Sequence, residues 1–347
     1  MNKTKIPDHI SKVIHILRFV LIVLVVYGHS SPVEHDYFKC YNTIWDVISG
    51  NICSVAVPLF FIFSGYLFFS GVEDFNFRIF FSKLKKRLKT LFVPYMIWSL
   101  GVIFILYVFQ SFVPDLFTGS FPLVRNFNWK DWVDTLWVNP IQYQFWFIRD
   151  LMFIILLTPI IWILIKYCKI FIIAILGILY ILCIPIPIPG LSFFSLFYFS
   201  LGAYFSINKI DFVELSNKLP LQFILYFVLL ISSFLIKETN PLDRSIHEIC
   251  ALVGMSCSIS LASHTMKYTQ NLPGILFKSE FLIYAFHGIP IVFTMRILNQ
   301  AGLLNNEVMV IIAYFIVPIL IILISIVLYS VMKRFMPRLT NLLTGGR

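Results

Sequence analysis

An arginine and a histidine stand at opposite ends of one apolar segment near the N-terminus. The segment reads SKVIHILRFVLIVLVVYGHSS from Ser11, and the residues between Arg18 and His29 carry no charge. On an α-helix this spacing brings the two side chains back to nearly the same face, roughly 16 Å apart along the axis. Ionisable groups are costly inside a membrane-spanning helix, so they usually face a cavity and mark a pathway or a reaction site. The pattern therefore predicts a site in which a guanidinium and an imidazole share one helical stripe.

A second pair of charges, Arg149 and Asp150, interrupts the apolar run QFWFIRDLMFIILLTPII. Adjacent residues on a helix do not face one another, so we expect each of the two to have its own partner. Two interpretations stay open. The side chains either reach headgroups or water as interfacial anchors, or they belong to the catalytic site.

A third polar stripe lies in KSEFLIYAFHGIP, where Glu280, Tyr284 and His287 stand at positions i, i+4 and i+7. These offsets place an acid, a phenol and an imidazole on one helical face, and all three are catalytic candidates. A structural hydrogen bond to a neighbouring helix is the alternative role for His287.

A basic segment, RIFFSKLKKRLKTLFVPY, joins two apolar segments of the chain. Its cations are suited to hold the phosphates of a cytosolic cofactor through charge-assisted hydrogen bonds. The alternatives are a simple topology signal or an amphipathic stretch that binds headgroups. The candidates for cofactor binding are Lys85, Lys86, Arg87 and Lys89.

Tryptophans are concentrated in the loop between residues 114 and 142 and at the helix start that follows it. A belt of interfacial tryptophans anchors many membrane proteins, and that is one interpretation. The other is a platform on which the flat apolar faces of a sugar substrate stack. The residues concerned are Trp129, Trp132, Trp137 and Trp146.

The composition leaves the bilayer as the only plausible solvent for this chain. It is 59% hydrophobic and 13% charged, with a mean hydropathy of +0.87, whereas a soluble domain is about a quarter charged. We therefore predict one all-α domain over residues 1–347, a polytopic bundle of about ten membrane-spanning helices. The predicted spans are 13–31, 47–70, 91–113, 143–165, 170–187, 190–207, 219–237, 247–266, 281–298 and 308–332.

The distribution of lysine and arginine predicts the orientation. Most of them fall on one side of the membrane if both termini are cytoplasmic, which also fits an even number of spans. The net charge of +10 is then mainly a topology signal that also attracts anionic lipid. Because the cations form no soluble basic domain, we expect no nucleic-acid partner.

Signatures of soluble enzymes are absent from the sequence. It contains no GxSxG, no GxxxxGK[ST], no GxGxxG and no HExxH, so neither a serine hydrolase elbow nor a nucleotide-binding loop is indicated. The six cysteines show no CxxC spacing, and we expect no metal site.

Taken in order along the chain, these motifs resemble the bacterial membrane acyltransferase 3 family, the integral membrane O-acyltransferases that modify surface polysaccharides. The matching motifs are Arg18-x10-His29, VPLFFIFSGYLFF at 57–69, the basic segment ending at Pro94, FWFIRDL at 145–151 and IYAFHGIP at 283–290. The resemblance implies a protein of the bacterial cytoplasmic (inner) membrane. Its donor is usually acetyl-CoA, bound from the cytosol, and its acceptor is a sugar hydroxyl, often on the far side of the membrane.

The resemblance also assigns roles to residues. It implies that His29 is the essential imidazole and that Arg18 helps to bind the donor. Family members often have a second arginine where this chain has Thr90, so the basic pattern relies on Lys86 and Lys89. Many relatives have serine where this chain has Glu280.

We therefore expect acyl transfer from a CoA thioester to a glycan hydroxyl. His29 either removes the acceptor proton or carries the acyl group briefly. Arg18 holds a phosphate or the pantetheine amides of the donor. Asp150 or Glu280 is the candidate to orient His29 or to relay the proton.

Two other functions fit the same residues. A polysaccharide or small-molecule transporter or flippase has buried ionisable groups along its path, here Arg18, His29, Arg149 and His287. The second of these alternatives is an inactive structural partner of a glycan-assembly machinery. The absence of an inverted-repeat signal favours the enzyme.

Overall fold

The computed structural model describes residues 6–31, 38–112, 123–218, 220–235, 241–269 and 273–346, and within these ranges the secondary structure is helical with no β-strand. In chain order the α-helices are α1 (Asp8–Gly28), α2 (Lys39–Trp45), α3 (Ala56–Phe69), α4 (Phe77–Arg87), α5 (Val93–Phe112), α6 (Trp129–Val133), α7 (Trp146–Leu156), α8 (Thr158–Cys168), α9 (Ile170–Ile181), α10 (Phe193–Ile207), α11 (Phe212–Asn217), α12 (Gln222–Leu235), α13 (Pro241–Thr269), α14 (Gly274–Lys278), α15 (Glu280–Phe286), α16 (Gly288–Gln300), α17 (Glu307–Phe335) and α18 (Pro337–Thr344).

The long apolar helices make this a multi-pass membrane protein. Among the described residues, five helical segments are long and apolar enough to cross a bilayer. They are Asp8–Gly28, Lys39–Phe69, Phe77–Phe112, Ser245–Met266 and Glu307–Phe335. The number rises to seven if two bent pairs each count as one span, namely α7 with α8 at 65° and α15 with α16 at 48°.

The other predicted spans correspond to shorter apolar helices. These are Ile170–Ile181, Phe193–Ile207 and Gln222–Ser233, each below the usual length of about 20 residues. Every predicted span therefore contains an apolar helix or a bent pair. The ends of the predicted spans 91–113 and 219–237, and residues 114–122 of the tryptophan-rich loop, lie outside the described residues. A total of ten spans and the orientation of the termini stay predictions.

Helix α1 lies inside the bundle, where it packs against α3, α13, α15 and α17. One side of it is buried, including Leu17, Leu21 and Val25. The helix ends at Gly28, earlier than the predicted residue 31, so His29 is the residue that follows the last turn. His29 nevertheless lies on the same side of α1 as Arg18, because both side chains line one cavity.

Helices α3 and α10 pack backbone against backbone because glycines stand at their contact. A Cβ on Gly65 would lie 2.0 Å from the carbonyl oxygen of Phe199, and one on Gly202 would lie 1.9 Å from that of Ile62. Small residues at such positions are the usual means of close helix packing in membranes, where apolar burial between helices gains little.

The segment that precedes α7 runs back along α5 into the protein. The amide of Val124 donates to Gln110 Oε1 at 2.9 Å, and Tyr95 Oη donates to the carbonyl of Leu136 at 2.5 Å. Further on, Gln142 Nε2 donates to the carbonyl of Trp98 at 3.2 Å. Non-helical backbone inside a membrane protein needs such internal partners, and these bonds place residues 143–145 next to the end of α1.

The glycine contact between α3 and α10 generates a stability prediction. Gly202→Ala should lower the free energy of unfolding by about 1–3 kcal/mol, because the added methyl group meets main chain that cannot rotate away. Thermal unfolding of the detergent-solubilised protein measures the effect. Gly101→Ala in α5 is the control, since a Cβ there meets nothing within 4 Å. Equal melting temperatures for the two variants would contradict this account of the packing.

Candidate active site

A cavity of about 300 Å³ lies between α1, α3, α7 and α15 and reaches the end of α4. Arg18 and His29 both line it, as does Trp146. The two α1 residues thus share one helical face, as their spacing predicts, and that face points into the protein and not toward lipid. We call this space the His29 cavity.

Two aromatic rings hold the imidazole of His29. Tyr143 meets it edge to face with ring centroids 4.8 Å apart, and His287 stacks on it at 5.5 Å with an interplanar angle of 24°. Among the described residues, no carboxylate forms an ion pair with His29. Asp150 and Glu280 pair with Arg149 and Arg18, and a role for either acid in orienting His29 or relaying its proton stays a prediction.

His287 is fully buried at the bend between α15 and α16. Its Nδ1 lies 3.1 Å from the carbonyl oxygen of Ile283, one turn back on its own helix. A carbonyl only accepts, so Nδ1 carries the proton and Nε2 keeps a lone pair. Nε2 is buried with no hydrogen-bond partner among the described residues. The structural hydrogen bond of His287 is thus to its own helix and not to a neighbouring one.

Residues 143–145 are fixed against α15 by polar contacts. Tyr284 Oη donates to the carbonyl of Gln144 at 2.6 Å, and Gln144 Nε2 donates to the carbonyl of Ala285 at 3.2 Å. A Cβ on Gly288 would lie 2.4 Å from Gln144 Oε1, so only glycine leaves room for this amide. The polar stripe predicted on α15 therefore positions the segment that carries Tyr143.

Sequence reasoning missed Tyr143, Gln144 and Gly288 as site residues. The available signal was an amide and a phenol directly before the FWFIRDL motif. Nothing in their spacing connects them to His29, because the contact forms only when α1 and α15 come together.

The opposite end of the His29 cavity is basic. Arg18 Nη2 lies 2.6 Å from Glu280 Oε2, and the side chain of Glu280 is only 8% exposed. Arg87, at the end of α4, also lines the cavity, and no acid among the described residues forms an ion pair with it. Two guanidinium groups and one carboxylate leave a net positive charge there.

The other cations of the basic segment do not reach the cavity. Lys85, Lys86 and Lys89 are exposed and are not among the residues that line it. Of the four predicted cofactor-binding residues, the structure brings Arg87 alone to the cavity wall.

Arg149 and Asp150 pair with each other, so the prediction of separate partners is wrong. Arg149 Nε and Nη2 donate to the same oxygen of Asp150 at 2.9 and 2.8 Å. The arginine side chain is long enough to fold back over its neighbour. Its Nη1 also donates to the carbonyls of Trp137 and Val138, at 3.1 and 2.6 Å. The pair therefore fixes the segment before α7, and neither residue lines the His29 cavity.

The four tryptophans are separated in space. Trp146 lines the His29 cavity, whereas Trp129 is 71% exposed and Trp132 packs on Phe127. Trp137 lies near Gly190. Sugar binding by all four tryptophans stays a prediction, and Trp146 is the one of them that lines the cavity.

Comparison with known proteins gives two matches. The family model described as "Acyltransferase domain" matches residues 12–330, a range that contains every predicted site residue. The succinoglycan biosynthesis protein ExoH of Rhizobium meliloti (strain 1021) is 25% identical over 369 aligned positions, covering 98% of this chain and 93% of that protein. No solved structure matches the chain.

The buried ion pair generates a second stability prediction. Arg18→Leu should lower the free energy of unfolding by about 2–4 kcal/mol, because the Glu280 carboxylate would stay buried without its guanidinium. The double variant Arg18→Leu with Glu280→Leu should lose less unfolding free energy than the two single variants lose in total. Denaturant unfolding of all four proteins in detergent measures the coupling. Strictly additive losses would show that the pair contributes nothing.

Proposed function

Since this chain belongs to the Acyltransferase domain family, we propose that it moves an acyl group from a cytosolic CoA thioester to a sugar hydroxyl. The expected group is acetyl, and the acceptor is a bacterial surface polysaccharide or its lipid-linked precursor. The observation that carries the proposal is the His29 cavity, which has two arginines at one end and an imidazole at the other. Similarity to a succinoglycan biosynthesis protein supports a glycan acceptor.

The cavity fits the arm of such a donor. Between the thioester sulfur and the first phosphate of CoA lie about a dozen bonds with two amides, which span about 15 Å at the reach of an extended peptide. Arg18 and His29 are roughly 16 Å apart along α1. A thioester beside His29 therefore places the first phosphate beside Arg18 and Arg87. Guanidinium groups bind phosphate through two parallel hydrogen bonds.

The middle of the cavity is apolar. Ile22 and Val25 of α1, which lie between Arg18 and His29 in the sequence, line it together with Phe60 of α3. Such a wall suits the gem-dimethyl and methylene groups of the arm, and it keeps water away from a thioester that water would otherwise hydrolyse.

His29 can act on the thioester in two ways. As a general base, it takes the proton of the sugar hydroxyl while that oxygen attacks the carbonyl carbon. The carbon–sulfur bond then breaks, and the proton passes to the departing sulfur. As a nucleophile, one His29 nitrogen takes the acyl group while the carbon–sulfur bond breaks, and the departing sulfur takes the proton from the other ring nitrogen. The hydroxyl oxygen then takes the acyl group from His29, and the hydroxyl proton returns to the imidazole. Trapping of acylated His29 by rapid acid quench distinguishes the two routes.

His287 and Tyr143 are positioning residues in this proposal. They contact the ring of His29 on one face and one edge and limit its rotation within the cavity. Holding a catalytic group in its reactive geometry accounts for a large part of many enzymatic rate enhancements.

The proposed arrangement in the cell follows from the charges and from the donor. We place both termini in the cytoplasm and ten spans in the bacterial inner membrane, because retained loops carry the lysine and arginine excess. CoA then enters at the arginine end and the glycan approaches the His29 end near Trp146. A glycan-assembly machinery is the expected partner that delivers the acceptor.

Loss of the imidazole tests the function directly. In cells carrying His29→Ala, the acyl content of the surface polysaccharide should fall by about a hundredfold or more, the typical contribution of acid–base catalysis, while the amount of polymer stays unchanged. Mass spectrometry of the isolated glycan measures the acyl groups and identifies them by mass.

A matched control is His264→Ala. This histidine is exposed, and its ring bonds to the carbonyl of Ser260 on its own helix, so its loss should leave acylation intact. Loss of polymer export in His29→Ala, with the acyl content per sugar unchanged, would contradict the enzyme and support the transporter.

A further inference from the structure

A second cavity, of about 630 Å³, opens beside the first half of α1. We call it the vestibule. Residues of α1, including Lys12 and His15, form one side, and Phe277 of α14 forms another. Arg18 and Leu67 line both the vestibule and the His29 cavity. The two spaces therefore meet at Arg18, and a ligand longer than the His29 cavity continues into the vestibule.

The walls of the vestibule combine cationic and flat aromatic groups. Lys12 is exposed. Among the described residues its one ion pair is with Asp8 at 3.9 Å, and both side chains are accessible to solvent. Such a surface ion pair contributes little to stability. The rings of His15 and Phe277 lie 4.1 Å apart at 34°. The Lys12 ammonium is therefore able to bind a phosphate. It lies within one helical turn of His15, and a nucleotide base can stack on the His15–Phe277 pair.

We propose that the vestibule binds the 3′-phosphorylated ADP end of the CoA donor. Lys12 contacts the 3′-phosphate, and the His15–Phe277 pair stacks with the adenine. This assignment rests on the proposed function, because it takes the thioester to lie at His29 and the diphosphate to lie at Arg18 and Arg87.

The length of the donor requires a site in this direction. Its arm of about 15 Å already spans the distance from His29 to Arg18, so the nucleotide must lie beyond Arg18. Lys85, Lys86 and Lys89 line neither the His29 cavity nor the vestibule. The nucleotide end of the donor is therefore assigned to the N-terminal half of α1, and the basic segment, which sequence proposed for cofactor phosphates, contributes Arg87.

A pair of ligands isolates the contact with Lys12. Binding of CoA and of 3′-dephospho-CoA to the full-length protein in detergent is measured by isothermal titration calorimetry. Lys12→Ala should weaken CoA about tenfold, the value of one charge-assisted hydrogen bond, and leave 3′-dephospho-CoA unchanged. Lys12→Arg should keep the affinity for CoA. Lys218→Ala is the control, because this lysine is exposed and lines neither cavity.

The adenine contact has its own pair of ligands. Phe277→Leu keeps an apolar side chain but removes the ring. It should weaken the binding of CoA several-fold and leave the binding of 4′-phosphopantetheine, which has no adenine, unchanged. Melting temperatures show that each variant is folded.

The outcomes separate this inference from the proposed function. Suppose that wild-type protein binds CoA, but that Lys12→Ala weakens the binding of neither CoA nor 3′-dephospho-CoA, or weakens the binding of both equally. The vestibule assignment is then wrong and the proposed function stands. If wild-type protein neither binds CoA nor transfers its acyl group, both fail. Binding of short-chain phosphatidylglycerol that depends on Lys12, and that CoA does not displace, would assign the vestibule to a lipid headgroup and overturn the inference.

Discussion

The structure depends on the need to keep one arginine away from hydrocarbon. A charged side chain within a membrane-spanning helix is costly unless it faces a partner or a cavity, and Arg18 stands within α1. The Glu280 carboxylate meets it at 2.6 Å, which fixes α1 against α15 and turns the charged stripe inward. Because His29 lies on the same stripe, the same pairing that accommodates the arginine also places the imidazole inside the bundle.

Irregular backbone supplies the other half of the site. Breaks in helical structure are tolerated in a membrane protein where they are buried in protein or line a cavity, and the segment before α7 and the bend at His287 are both packed inside the protein. The Arg149–Asp150 pair holds the chain before α7 through two carbonyls. His287 stands at the bend of 48° between α15 and α16, with its ring stacked on that of His29. The polar contacts around Gln144 then join the two irregular segments to each other.

Sequence periodicity predicts what lies on one element, and here it does so well. The shared face of Arg18 and His29, and the Glu280–Tyr284 stripe that lines the same cavity, follow from helical spacing. Which elements meet does not follow, so the partner of Arg18 and the stack of His287 on His29 were out of reach. The Arg149–Asp150 error has a different origin. The rule that neighbours on a helix do not face each other concerns Cβ directions, and a long guanidinium side chain can bend around that limit.

The lining of the His29 cavity bears on the choice between transfer and transport. A transporter must let its whole cargo pass, whereas this space joins a cationic end to an apolar stretch lined by residues such as Ile22, Val25 and Phe60. Phosphates bound at Arg18 and Arg87 gain charge-assisted hydrogen bonds that the apolar stretch cannot replace, so moving them farther would cost their full desolvation. A neutral arm carries no such cost. The cavity therefore favours a ligand whose charged end stays with the arginines while its uncharged end reaches the imidazole, which is the geometry needed to deliver an acyl group and retain its carrier.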